Sequence, residues 1–467
     1  MRSNTTVKID DIKSNVNNTT KDEMKPNSNF AKKFDWDGFD ILFILILVFF
    51  GVFSRFWVIQ FPRYTVFDES KQINIINSYI NGSIYVDTQP PLGSMILAVA
   101  AHYSLYDMSY DMPVDEKNYT YQNIKYVSLR FPSAFAATIV VPLAYFIVRS
   151  FGGSKLAGLS SGLFTLMDFL LIALGRNCFT DGLLQLFVAL SILFLALSEH
   201  FIVETIPYKI LLVLESFFVG CAISTNVNAI GLWIFFLFWN RKKLTNILYI
   251  VFISFSVLFF SFCLQVYYMP FHSFDDSYLP ESYSDSLQEP NSYYIIEHYK
   301  IPIRAFQLMI TMLKLRRSIK EKAEWYLWPF MICRYTVLWS QFGRYVACFG
   351  NVAIWWPMAL SIIYLTLKSI IKFSFNTNPQ KLCIGYILSL VCFSFFNNNR
   401  GICDYQIPLM FGLWILPLMI DTELTPTLSG FILPFITVSG LIIFYLWAPL
   451  VYAYENFDTR FLPYFAK

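Results

Sequence analysis

The chain has 467 residues, 56% of them hydrophobic and only 14% charged, whereas soluble domains are roughly a quarter charged, so a water-soluble globule is excluded. Aromatics make up 19%, with 48 Phe and 29 Tyr, a weighting that suits lipid-facing helices and interfacial belts. A formal net charge of +3 gives no reason to expect a nucleic-acid partner.

Residues 1–38 are polar, rich in Asn, Lys and Asp, and lack an apolar signal core. They read as a disordered cytoplasmic tail, which leaves the first apolar segment to insert the chain. That segment, 39–58, matches the roughly 20 residues needed to cross a hydrocarbon core. Further spans are predicted at 130–149, 156–174, 179–198, 208–225, 228–240, 245–268, 345–367, 382–398, 402–420 and 428–450, about eleven in all, with 228–240 short for a crossing.

Lys and Arg are retained in short cytoplasmic loops. With the tail on that side, Arg149 with Lys155, then Arg241, Lys242 and Lys243, then Lys368, Lys372 and Lys381 all fall on the cytoplasmic side. The expectation is a cytoplasmic N-terminus and a lumenal C-terminal tail, 454–467, flanking a transmembrane catalytic domain, 39–453. Two longer polar loops, 59–129 and 270–344, are then lumenal, with Asn-x-Ser/Thr triplets at Asn81 and Asn118. No internal repeat of the transporter kind is evident, which weakens that class.

The first of these loops carries the candidate chemistry. Phe67-Asp68-Glu69-Ser70-Lys71 precedes a stretch with Ile73, Ile76 and Ile80 on one face and Asn74, Asn77 and Asn81 away from it, before Gly82. Such a helix is expected to lie along the lumenal membrane surface with its apolar face down. Asp68 reads as an N-cap and Glu69 as a first-turn acid; a carboxylate kept ionised by the helix dipole also suits a general base.

Elsewhere the signals are bland. Eight Cys lack CxxC or metal-ligand spacing, and Cys221, Cys263, Cys383 and Cys392 read as small buried hydrophobes. His102, His200, His272 and His298 form no HExxH or HxH cluster, so no metal is expected. Arg55, Asp168, Arg176, Asp181, Arg400 and Asp404 lie near predicted span ends, where snorkelling or pairing competes with function. Trp325, Trp328, Trp355 and Trp356 are most simply an interfacial belt.

Asp68-Glu69, then Asp87-Thr88-Gln89-Pro90-Pro91-Leu92-Gly93, resembles, with the same spacing between the two, the Asp-Glu and Asp-x-His-Pro-Pro-Leu-Gly pattern of protein O-mannosyltransferases, glycosyltransferases of GT-C type. Gln89 stands for the family's His, and Ser94 for a Lys. The likeness continues through Leu129-Arg130-Phe131-Pro132-Ser133-Ala134, the Asp168, Arg176 and Asp181 spacing, Gly220 to Ser224, Trp325, Trp328-Pro329, Gly350-Asn351 to Trp356, and Arg400 with Pro408. It departs at Asn226-Val227, where a Lys-Trp pair is common, and at Tyr405-Gln406, where His-Tyr is usual. The 270–344 loop is too short for the family's MIR β-trefoil.

The resemblance implies an all-α integral membrane protein of GT-C fold that moves mannose, with inversion, from dolichyl phosphate mannose to Ser/Thr hydroxyls of acceptor proteins at the endoplasmic reticulum membrane. Asp68 would be the base and Glu69 its acceptor-positioning neighbour. Arg130 and then Arg400 would hold the donor phosphate, with Asp87, Gln89, Arg176 and Asp181 in support. No cofactor is implied, since the donor carries no nucleotide, and a homo- or heterodimer with another family member is compatible. Another lipid-phosphate-sugar transferase, a non-catalytic partner subunit and a transporter are the alternatives.

Overall fold

The computed structural model describes residues 37–454 apart from 105, 107–119, 122–124, 204, 242, 290–297, 319–323, 333–334 and 396–399. Of the tails expected at 1–38 and 454–467, residues 1–36 and 455–467 therefore lie outside the described residues, as does Asn118.

A helix occupies every predicted span. Helix α1 (Gly38–Phe56) starts at a capping box in which the Asp37 carboxylate accepts the Phe39 and Asp40 amides and Asp40 reaches back to the Asp37 amide. Helices α2 (Glu69–Asn81) and α3 (Leu92–Tyr103) follow in the first loop. Next come α4 (Tyr126–Ser150), the bent pair α5 (Lys155–Leu166) and α6 (Phe169–Gly175), α7 (Asp181–Ser198), α8 (Ile206–Thr225), α9 (Ile230–Trp239) and α10 (Leu244–Tyr268). Helix α11 (Ile301–Ser318) lies in the second loop and is followed by strands β1 (Thr336–Gln341) and β2 (Arg344–Cys348). Helices α12 (Val352–Lys372), α13 (Asn378–Val391), α14 (Gln406–Glu423) and α15 (Pro426–Trp447) complete the bundle.

Among the described residues, eight helical segments are long and apolar enough to cross a membrane, or nine if the α5–α6 pair, bent by 57°, is one crossing. The expected eleven is therefore not reached by length, because α9 and α13 have only 10 and 14 residues. The predicted 345–367 span also begins late: its first residues belong to β2, which pairs antiparallel with β1 and makes the fold not purely helical. Burial sorts the spans. Only 22% of the apolar window of α10 or α15 is buried, against 94% for Gly401–Glu423, so the former face lipid and the latter is the central post.

The α5–α6 break is stabilised by polar side chains rather than left open. Asp168 caps α6 through the Leu171 amide at 3.0 Å and accepts Trp355 Nε1 at 2.6 Å. Arg55, wholly buried, donates to the Thr165 and Leu166 carbonyls that end α5. Trp328 and Trp355 are buried at 2% and 0% exposure, packed on Tyr405, so they are core residues and not belt residues; Trp356 is exposed.

The basic loops gather at one end of the bundle. Arg149 and Lys155 bond Asp40 and Asp37 at the start of α1, Ser154 bonds Asp421 at 2.7 Å, Lys368 pairs with Glu423, and Lys381 lies 3.9 Å from Glu199. The two long loops meet at the other end. There α2 departs from expectation: Ile73 and Ile76 are fully buried in the main protein core, so its apolar face packs on protein and not on lipid.

The second loop builds a smaller core of its own. Tyr283, Leu287, Ala305, Leu308 and Met312 pack with Ile84 and Val86 of the first loop and Phe262 and Val266 of α10. This cluster docks α11 beside the first loop and aims its C-terminal end inward. The described part of 270–344 holds helical turns, α11 and β1.

Close helix packing at α4 and α7 fixes where α7 begins. A Cβ added to Gly182 would lie 2.3 Å from the Ser133 carbonyl oxygen, a backbone atom with no rotamer to move. Gly182→Ala should therefore force α4 and α7 apart at about 1–3 kcal/mol, read as a lower unfolding temperature in detergent, together with displacement of the neighbouring Asp181. An unchanged midpoint would mean that this contact has slack.

Candidate active site

The first loop enters α2 through a strained turn. Phe67 adopts φ 48°, in the left-handed region that a bulky side chain avoids unless its surroundings hold it there. The hold is visible: the Phe67 amide donates to the Leu338 carbonyl of β1 at 2.9 Å, and Tyr64 stacks on Trp339 with centroids 5.6 Å apart. The turn sends the two adjacent acids in opposite directions.

Glu69 points inward and is wholly buried. Its Oε1 accepts Arg130 Nε at 2.9 Å and the Cys178 amide at 2.7 Å, while Oε2 accepts an Arg130 terminal nitrogen at 2.8 Å, the Val66 amide at 2.9 Å and the Tyr121 hydroxyl at 3.0 Å. Arg130 is equally buried, and its remaining donors go to the carbonyls of Ile59, Pro62 and Tyr64 at 3.0–3.1 Å. All five guanidinium hydrogens are thus engaged. Arg130 has no donor left for a phosphate and Glu69 no lone pair for an acceptor, which corrects both expected roles.

Asp68 points outward into a cavity of about 250 Å³. It occupies the N-cap position of α2 but makes no side-chain cap bond. Among the described residues no side chain hydrogen-bonds to it. Its side chain is exposed to the cavity, yet the surrounding protein limits its hydration. That desolvation pushes its carboxyl above the ordinary range, offset in part by Arg400 and Lys71.

Around Asp68 the cavity collects Lys71 and Gln72 from α2, Asp87, Thr88, Gln89 and Ser94 from the following turn and α3, Asp181 at the start of α7, Arg400, and Arg316 from α11. Arg400 clamps Asp181 bidentately at 3.1 and 2.7 Å, and Gln406 donates to the same carboxylate at 2.5 Å. Burial works against the Arg400 charge, but Asp181 and Asp404 outweigh it and hold its pKa above the ordinary value. Lys71 pairs with Asp87 at 2.6 Å. Arg316 donates to Asn228 Oδ1 at 2.6 Å, and Asn228 in turn donates to Asp404 at 3.1 Å. Desolvation lowers the Arg316 pKa, with Asp404 opposing it. Gln89 accepts the Val227 amide at 3.2 Å and Ser94 accepts Gln72 at 3.1 Å, so two residues that break the sequence pattern still line and brace the cavity.

Of the expected site residues, Asp68, Asp87, Gln89, Asp181 and Arg400 come together; Glu69 and Arg130 lie behind the wall; Arg176 lies elsewhere. Arg176 donates to the Trp57 carbonyl at 2.6 Å and sits 4.3 Å over the Tyr452 ring, which makes it a brace. Two lining cations escaped the sequence reading. Lys71 was legible, three residues beyond Asp68 on the same helix; Arg316 is brought in by the fold from the far end of an unassigned loop. Among the described residues, no group of three or more His, Cys, Asp or Glu is placed to hold a metal ion.

Residues 45–274 match the sequence model of the family described as dolichyl-phosphate-mannose-protein mannosyltransferase. This stretch, just under half of the chain, resembles the protein O-mannosyltransferases in sequence. Dolichyl-phosphate-mannose–protein mannosyltransferase 3 of Saccharomyces cerevisiae is 29% identical over 198 residues, covering 42% of this chain and 26% of the relative. Mannosyltransferase 4 of Schizosaccharomyces pombe is 26% identical over 273 residues, covering 56% and 32%. The chain thus spans about a quarter to a third of the length of these relatives.

The family likeness extends to the fold of nearly the whole chain. A structure of the S. cerevisiae protein O-mannosyltransferase Pmt1-Pmt2 complex bound to the sugar donor superposes with a TM-score of 0.81, covering 92% of both chains at 12% identity. ArnT from Cupriavidus metallidurans bound to undecaprenyl phosphate gives a TM-score of 0.50 over 84% of this chain and 62% of ArnT, at 15% identity. The chain has the GT-C glycosyltransferase fold.

The buried pair makes a test that separates bracing from phosphate binding. Arg130→Met leaves the Glu69 carboxylate buried without its cation and should destabilise the protein by about 3–5 kcal/mol, measured as lost yield and a lower unfolding temperature. A variant with wild-type stability and a selectively weakened donor affinity would restore the phosphate role.

Proposed function

We propose that this chain is a dolichyl-phosphate-mannose-protein mannosyltransferase, transferring mannose to Ser/Thr hydroxyls of secretory-pathway proteins at the endoplasmic reticulum membrane. The observation that carries this reading is a cavity holding one carboxylate, Asp68, without a hydrogen-bonded side-chain partner among the described residues, beside three cationic side chains, Lys71, Arg316 and Arg400. Direct displacement at an anomeric carbon calls for this combination: a base for the incoming hydroxyl and positive charge for the departing phosphate.

In the proposed step the acceptor oxygen attacks the anomeric carbon as the bond to the phosphate oxygen breaks, inverting that centre. The hydroxyl proton passes to Asp68, and the electron pair of the broken bond stays on the phosphate. Arg400, held rigidly by Asp181, Lys71 and Arg316 are the groups to receive that charge. Asp87 and Asp181 orient the cations, while Gln89 and Gln406 steady the walls. Glu69 and Arg130 set the position of Asp68 from behind. A single phosphate surrounded by three cations needs no metal ion, so transfer is expected to persist in excess EDTA.

The cavity end of the bundle is read as lumenal and the end with the basic loops as cytoplasmic, with the N-terminus cytoplasmic and the C-terminus lumenal. Glycosylation-tag mapping that placed both termini on one side would refute this. The donor named in the description of the matching family supports dolichyl phosphate mannose here, and the two-chain assembly of the yeast structure supports pairing of this chain with another family member.

The direct experiment is transfer from labelled dolichyl phosphate mannose to a Ser/Thr-rich peptide, with dolichyl phosphate glucose as the competing donor. Asp68→Asn should lower turnover about 10² to 10⁴-fold with donor binding nearly intact; wild-type turnover at wild-type expression would remove Asp68 as the base. The ionised carboxylate is the active form and its pKa is raised. The acidic limb of kcat/KM against pH, which reports the free enzyme, should therefore lie above the ordinary carboxylate range, with rate lost as pH falls through it. Arg316→Gln should weaken donor affinity and turnover together, since a phosphate contact acts in the ground state and strengthens as charge develops.

A further inference from the structure

The surface contact with lipid expected of α2 has a better candidate in α11. At about 100° per residue, this helix divides into three strips with different surroundings. Ala305, Leu308 and Met312 point into the small core of the second loop. Arg304, Gln307 and Lys314 form a polar strip, in which Gln307 donates to the Ser282 hydroxyl at 3.0 Å. Ile303, Phe306, Ile310 and Leu313 form an apolar strip whose members are 39–63% exposed. An amphipathic helix of a soluble domain turns one apolar stripe inward and a polar face to water; α11 keeps a second apolar stripe outside.

The depth of α11 follows from the helix that holds it. Helix α10 has 25 residues, about 37 Å at 1.5 Å per residue, against a hydrocarbon core of about 30 Å. Phe262 and Val266 of α10 belong to the core that docks α11, and Leu258 packs on its edge. Leu258 stands ten residues before the end of α10 at Tyr268, about 15 Å along the axis. Even with all the surplus length of α10 placed at this end, Leu258 sits roughly 7 Å inside the hydrocarbon. The docking core therefore reaches below the membrane surface, on a helix whose Phe255, Phe260 and Tyr268 are themselves exposed to lipid.

We propose that α11 is a monotopic helix seated in the cavity-side leaflet, its Ile303, Phe306, Ile310 and Leu313 strip against phospholipid acyl chains and its polar strip toward the headgroups. The lipid-facing helix beneath it selects acyl chains as the occupant, and so does Lys314 at the strip's border, whose long stem lies on apolar surface while its ammonium reaches a headgroup phosphate. The seating requires only that α10 spans the bilayer. The same helix carries Arg316 to the cavity, so under the proposed reaction one of the three phosphate cations arrives from the membrane side.

The test places benzoylphenylalanine at Phe306 or Ile310 of the full-length chain, in nanodiscs of radiolabelled phosphatidylcholine, and irradiates it. Phe255 of α10 serves as the positive control and Tyr278, exposed in the same loop, as the negative one. The expected result is labelled lipid bound covalently to the protein from Phe306, Ile310 and Phe255, with Tyr278 at background. Labelling from Phe255 alone overturns the seating. A crosslinked protein dimer in place of the lipid adduct assigns the strip to a second copy and also overturns it, as does equal labelling from Tyr278, which would show a loop that brushes lipid without a seated face. No donor or turnover enters the measurement, so its failure leaves the mannosyltransferase reading standing, and a chain inactive toward the donor leaves the seating standing.

Discussion

The buried Glu69–Arg130 pair is the interaction on which the site depends. A charge taken out of water is costly, and the cost is recovered only when every hydrogen-bonding position is filled. Here both partners are filled completely, by each other and by backbone groups of the 59–66 and 178 segments together with Tyr121. The pair therefore fixes three pieces of chain at once: the exit from α1, the start of α2 and the loop before α7. Asp68 is the residue next to this anchor, and the cavity is the space left on its far side.

A second constraint comes from the loops that cap this end. The hairpin supplies the Leu338 carbonyl that holds Phe67 in a left-handed conformation. The small core around Tyr283, Leu308 and Met312 carries α11 to the point where Arg316 enters the cavity. Both devices set geometry at the membrane boundary. The lipid-facing helices, among them α10 and α15, contribute solvation and the central Gly401–Glu423 segment contributes the post, while the two long loops aim the chemistry.

How much of this was legible in the sequence depends on range. Apolar runs located the long helices of the bundle, because burying a backbone in lipid demands a continuous hydrogen-bonded segment, but not α3 or α11 in the loops. By length and composition alone, only eight or nine of the helices among the described residues qualify as crossings, because α9 and α13 are short. Asp68 was legible from a contiguous motif, whereas the partition of Asp68 and Glu69 into one outward and one inward acid was not, since it follows from the Phe67 turn and from Arg130, 61 residues away. Amphipathicity gave α2 its apolar face but not its partner; protein and lipid look alike to a periodic pattern. Trp328 and Trp355 failed as belt residues for the same reason. Arg316 could be placed only by folding the second loop against the first.

The makeup of the cavity lining has a consequence for the order of events in the proposed turnover. Three carboxylates, Asp68, Asp87 and Asp181, face three cations, Lys71, Arg316 and Arg400, so the empty chamber is formally neutral. A sugar phosphodiester would bring one negative charge. Transfer itself would leave the total unchanged, since the proton gained by Asp68 balances the charge gained by the phosphate. Only when Asp68 returns that proton to water would the occupied chamber carry a second negative charge, in surroundings too poorly hydrated to screen it. Proton escape would then expel the spent lipid phosphate, turning the base into a ratchet that clears the site before the next donor enters.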